Sequence, residues 1–117
     1  MRLLEYECKK LVARYNIQVP RGVLLFSKQQ HFDIKTPVML KAQIPLGGRG
    51  KAGGVVEAGG PRDARKKLDG LFSNQLRGYG VTRVLAEQKV DVKEEYFMAI
   101  TYDTVQKRPV AVFSTQG

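Results

Sequence analysis

The densest concentration of chemistry in this sequence lies at 40–55, LKAQIPLGGRGKAGGV. Five of the chain's twelve glycines fall between Gly47 and Gly54, with Arg49 and Lys51 among them and Lys41 just upstream. Glycine lets backbone N–H groups approach a ligand closely and adopt positive φ. Successive N–H groups in such a turn form a concavity that binds anions, and interleaved cations add charge-assisted hydrogen bonds to phosphate oxygens. The run lacks the Gly-Lys-Ser/Thr close of a Walker A loop, and it does not sit between a strand and a helix as a dinucleotide fingerprint does. Strand-like sequence on both sides suits a hairpin flap laid over a polyphosphate; without a ligand it would be a flexible surface loop. Lys41, inside the apolar run VMLKAQ, is either a cation aimed at a phosphate from the sheet floor or, equally, one turned to the solvated face of a half-buried strand.

Two carboxylates come next. Glu87 and Glu95 bracket a polar link between two strand-like runs, and both could face one cleft. A carboxylate accepts hydrogen bonds from vicinal ribose hydroxyls well, although the usual fate of a Glu is a solvated surface. His31, the only histidine, lies in a polar turn with no partners at metal-ligand spacing and reads as a surface residue. Cys8 falls on the apolar stripe of a helix and reads as core rather than nucleophile. No Ser/His/Asp or Cys/His constellation can be assembled, so no catalytic residue is assigned.

The elements that must position these groups follow from periodicity. Leu4, Cys8, Leu11, Val12 and Tyr15 make one apolar stripe of a helix over 3–15. GVLLF (22–26) and PVMLKAQ (37–43) read as strands, with a polar turn at 27–36 that leaves room for at most a short helix. A strand leaving the glycine loop (53–59) precedes a helix over 61–76, with Pro61 at its first position and Ala64, Leu68, Leu71 and Phe72 on its apolar face. Strands at 82–90, 94–103 and 108–115 close the chain, the last two as an antiparallel hairpin. The order α-β-β-loop-β-α-β-β-β predicts an α+β domain, with a mixed or antiparallel sheet and flanking helices, rather than a doubly wound parallel sheet.

Composition sets the outer limits. The 117 residues suit one domain, and 43% hydrophobic content suffices for a core. No apolar run is long enough to span a membrane, and the N-terminus lacks a secretory signal pattern. A single cysteine excludes an internal disulfide and suits a cytoplasmic setting. The balance of 20 Lys+Arg against 11 Asp+Glu, net +9, favours anionic ligands. The cations are dispersed and the aromatics are not interleaved with them, so nucleic acid is not the expected partner. A small basic nucleic-acid-binding module remains the alternative from a different class.

LLEYECKKLVARYNIQVP, VMLKAQIPLGGRGKAGGV, VLAEQKVDVKEEYFMAI and AVFSTQG resemble, in that order, the N-terminal part of the ATP-grasp domain of succinate–CoA ligase β subunits. Parts are similar, less closely, to ATP-citrate lyase and malate–CoA ligase subunits. The resemblance implies that 1–117 is a single partial ATP-grasp domain, its N-terminal lobe. It implies nucleotide contacts at Lys41 (phosphate), at Gly48, Arg49 and Gly50 (the covering loop), at Glu87 and Val90 (beside the base) and at Glu95. The implied cofactor is ATP or GTP with Mg²⁺, the metal ligands lying downstream of this chain. The implied partner is an α subunit that carries CoA and a histidine phosphorylated by ATP. Three departures stand out: a shortened segment between Phe26 and Pro37, STQG where STEGG is typical, and an end at Gly117, ahead of the downstream ATP-grasp and CoA-ligase parts.

Overall fold

The computed structural model describes residues 2–117. The chain runs α1 (Glu5–Ala13), β1 (Gly22–Leu25), β2 (Val38–Ala42), β3 (Val55–Ala58), α2 (Pro61–Ser73), β4 (Gln75–Leu76), β5 (Tyr79–Gly80), β6 (Val84–Gln88), β7 (Phe97–Asp103) and β8 (Arg108–Ser114). The expected order therefore stands. The small β4–β5 ribbon is an addition: its two-residue strands are too short to show a period, and the expected helix through Leu76 stops at Ser73 to make room for it. Among the described residues every strand pairing is antiparallel.

The main sheet has the order β1-β6-β2-β3. The central strands alternate, and that alternation decides what each face does. On β2, Val38, Leu40 and Ala42 are fully buried while Met39 and Lys41 are only partly covered. Leu40 lies opposite Ala86 and Val56, and Ala42 opposite Val84, so these residues share the core face. Ala64, Leu68 and Leu71 of α2 close that face and are all at least 95% buried. Their i, i+4, i+7 spacing is the helical stripe seen in the sequence. Pro61 opens α2, where its missing N–H costs nothing.

Helix α1 is different. None of its residues is buried. Cys8 is exposed, as are Leu11 and Tyr15, so the expected burial of the stripe, and with it the reading of Cys8 as core, is corrected. The reason is polar anchoring: α1 turns its charged side toward the sheet and leaves its apolar side outward. The buried Gln43 holds its start, accepting Tyr6 N–H at Oε1 (3.0 Å) and donating to Lys41 O (2.9 Å).

The β7–β8 hairpin forms a separate two-stranded sheet. Its turn is held by Asp103 Oδ1, which accepts the Val105 and Gln106 N–H groups.

A candidate polyphosphate site between the glycine hairpin and helix α1

Residues 43–54 connect two paired strands, as the flap expectation required. Lys41 lies opposite Val55, and Ala42 N–H donates to Gly54 O at 2.7 Å. Within the loop, Gly54 N–H donates to Arg49 O (2.7 Å) and Ala52 N–H to Gly48 O (3.3 Å), which folds the tip back on itself. Gly48 needs its glycine: φ is +71°, and a Cβ would stand 3.2 Å from the Arg77 guanidinium. Gly54 needs its own for space, since a Cβ there would meet Leu76 Cδ1 at 2.7 Å. Gly50 has open room around it.

The loop carries Arg49 back to the end of β2. Its Nη1 donates to Ala42 O at 2.7 Å, and its Nη2 donates to Glu5 Oε2. Lys41 rises from β2 beside it, donating to Glu87 Oε1 (2.8 Å) and Glu5 Oε1 (3.1 Å). Lys9, one turn along α1, reaches both carboxylates, Glu5 Oε1 at 2.9 Å and Glu87 Oε2. The Lys41 side chain is 19% exposed and ion-paired twice, so it is held in place rather than freely solvated. Glu87 is 3% exposed, and those two lysines are its ion-pair partners.

The electrostatics follow from crowding. Burial by itself would raise the Glu5 carboxyl, but hydrogen bonds from Arg49, Lys9 and Lys41 outweigh it and hold the group at about 2. Burial by itself would lower the Lys41 ammonium, but hydrogen bonds to Glu87 and Glu5 outweigh it and hold it above the ordinary lysine value. The result is a preorganised group of three cations and two carboxylates. It borders an open recess lined by Arg2, Leu3, Glu5, Pro45, Gly47 and Arg49. A more enclosed depression lies elsewhere, where His31 and Asp33 meet Arg65 of α2, and it holds none of this machinery. His31 is exposed, as expected.

The structure thus brings together Lys41, Gly48, Arg49, Gly50 and Glu87. Val90 and Glu95 stand apart: both are exposed, in the link after β6, and Glu95 lies against Gly117. Among the described residues no hydrogen bond or ion pair joins Glu95 to the Lys41 cluster. Sequence reasoning missed Glu5, Lys9 and Gln43. Their one local signal was an i, i+4 Glu–Lys pair on the polar side of the first helix, which on most helices is a solvated surface pair. Among the described residues no group of three His, Cys, Asp or Glu is placed to hold a metal ion.

The model of the ATP-grasp domain family matches residues 2–117. The chain belongs to the ATP-grasp family. Among curated ATP-grasp relatives, it is 37% identical to the β subunit of an ADP-forming succinate–CoA ligase from Methanocaldococcus jannaschii, over the whole of this chain and 33% of the relative. It is also 37% identical to the corresponding subunit from Ignicoccus hospitalis, covering 32% of it. It is 36% identical to the β subunit of a GDP-forming succinate–CoA ligase from Thermus thermophilus, again over 32% of the relative. This ATP-grasp chain spans about a third of the length of the curated relatives it matches.

Proposed function

We propose that this chain is the nucleotide-binding portion of the β subunit of an acid–CoA ligase of the succinate–CoA ligase kind, and that it takes ATP or GTP. The observation that carries this is the convergence of Lys41, from the sheet floor, and Arg49, from the glycine hairpin, on one half-buried anionic patch beside an open recess. Two fixed cations under a glycine-rich hairpin suit the phosphates of a nucleoside triphosphate. Gly48 and Gly50 let the loop backbone approach those phosphates. Glu87, 3% exposed and bonded to Lys41 and Lys9, would hold the lysine in place, and Val90 and Glu95, exposed in the link after β6, would supply contacts beyond the phosphates, toward the ribose and base.

In the complete ligase, ATP would phosphorylate a histidine on a partner α subunit; phosphate would pass to the acid, and CoA would displace it. This chain's residues bind and orient the nucleotide; none of them takes part covalently. Mg²⁺ would accompany the nucleotide, and no step assigned to these residues runs through the ion.

Calorimetric titration of ATP into the protein tests the binding. Saturable binding is expected, weakened at least about tenfold by Lys41→Met, because a charge-assisted hydrogen bond is lost. A Lys41→Met protein that binds ATP as tightly as the unsubstituted one would remove Lys41 from the site. The ligase activity is tested by placing this chain in front of the remaining two thirds of the Methanocaldococcus jannaschii subunit and adding an α subunit. Turnover of ATP that requires both CoA and a dicarboxylic acid is expected; ATP binding without it would overturn the ligase assignment. Substituting malate or citrate for succinate identifies the acid.

A further inference from the structure

The two cations assigned to phosphate are already occupied. Arg49 Nη2 and Lys41 Nζ both donate to Glu5, whose two carboxylate oxygens are shared between them. A polyphosphate therefore meets not two free cations but two cations holding a carboxylate. We propose that Glu5 is a built-in competitor for the nucleotide's phosphates, occupying Arg49 and Lys41 in the free protein and giving them up when a polyphosphate binds. The proposal rests on the nucleotide-binding assignment for the ATP arm of the test and on the geometry alone for the inorganic arm.

Three features make such an exchange workable. First, Lys9 contacts Glu5 and Glu87 alike, so neither carboxylate is left unpaired when Lys41 and Arg49 turn to another anion. That matters most for Glu87, which at 3% exposure could not be stripped of partners without a large penalty. Second, the Glu5–Arg49 pair borders the open recess, so an anion can reach it without unfolding. Third, α1 buries none of its residues. With no core to break, the Glu5 side chain can change ion partners while Gln43 still holds the start of the helix through Tyr6 N–H. Glu5 thus makes nucleotide affinity depend on how firmly α1 is docked: the cations compete for one kind of charge, and only one anion can hold them at a time.

Replacing the carboxylate should therefore tighten binding. If the Glu5-bound state makes up about nine-tenths of the free population, Glu5→Gln should lower the dissociation constant by about tenfold. The experiment titrates ATP and inorganic tripolyphosphate separately into the unsubstituted, Glu5→Gln and Glu5→Asp proteins, with melting temperatures recorded in parallel. The expected result is a lower melting temperature for free Glu5→Gln together with tighter binding of both ligands. Glu5→Asp, which keeps the charge on a shorter arm, should fall between. A purely structural Glu5 would lower stability and leave binding unchanged or weaker; that outcome overturns the proposal. Should Glu5→Gln tighten tripolyphosphate while no variant binds ATP, the competitor role stands and the nucleotide assignment falls. Should ATP bind the unsubstituted and Glu5→Gln proteins equally, the assignment stands and the competitor role falls. Binding of neither ligand to any variant overturns both. Hydrogen exchange of Glu5–Ala13 in the unsubstituted protein supplies a readout independent of any variant: tripolyphosphate should speed exchange there, and slower exchange would contradict the proposal.

Discussion

Glu5 and Lys41 titrate in opposite directions, and each has its own pH window. The Glu5 carboxyl is held at about 2 against an ordinary 4.5. A depressed carboxyl stabilises the fold fully above its unfolded value and loses that contribution as pH falls through the folded one. The contribution is at most about 3 kcal/mol, before discounting for residual solvent. Glu5→Gln should accordingly lower the urea midpoint at pH 7 and flatten the stability loss between pH 4.5 and 2. Parallel acid slopes for the two proteins would show that the cations do not hold Glu5. Lys41 is raised, so its contribution is present below the ordinary lysine value of 10.5 and fades as pH climbs through the higher folded one. Backbone space sets the other limit at this scale. Gly54→Ala should destabilise by about 1–3 kcal/mol, because the new methyl runs into the buried Leu76 and the Arg49 carbonyl. A thermal midpoint unchanged by that substitution would mean the hairpin shifts freely.

The two helices, both amphipathic in sequence, behave as different kinds of element. Helix α2 buries Ala64, Leu68 and Leu71 against the sheet, so Leu68→Ala should cost about 2–5 kcal/mol. Helix α1 is attached by ion pairs and by Gln43, and Leu11 is 45% exposed. Leu11→Ala should stay within about 0.5 kcal/mol. Urea unfolding of the two variants measures the contrast, and comparable losses would mean that α1 packs after all. The α2 stripe was legible because its register places three apolar residues at i, i+4 and i+7 with charges between them. The α1 stripe was equally regular and still misled. Periodicity identifies a helix and its apolar side, but not whether another element covers that side.

At the scale of the molecule, the longest dimension is 51 Å and the radius of gyration 15.9 Å, against about 13 Å for a compact domain of this length. The β7–β8 hairpin is a two-stranded sheet apart from the main one. Met98, Ile100 and Phe113 on one of its faces are each more than 60% exposed. A lone hairpin is marginally stable in water. Amides of Phe97–Ser114 should therefore exchange with solvent well ahead of those in β2 and β6, as hydrogen exchange read by mass spectrometry would show. Equal protection in the two sheets would contradict this. Charge belongs to the same scale. With +9 spread over the chain, weak binding to any polyanion should fall steeply between 50 and 200 mM salt. The ATP binding proposed for Lys41 and Arg49, which are largely shielded, should fall less.

The order of the elements and the hairpin character of the glycine run were present in the sequence, because each rests on local pattern: period, turn residues and residue type. The family was legible for the same reason, since its motifs are short and ordered along the chain. Which groups share a site was not. Glu5 and Glu87 lie 82 positions apart along the chain, and only the folding of α1 over the second face of the sheet brings them to the same lysines. That placement is decided by charge pairing between distant residues, which leaves no periodic trace. The tertiary structure alone shows that Lys41 and Arg49 hold the same carboxylate, Glu5.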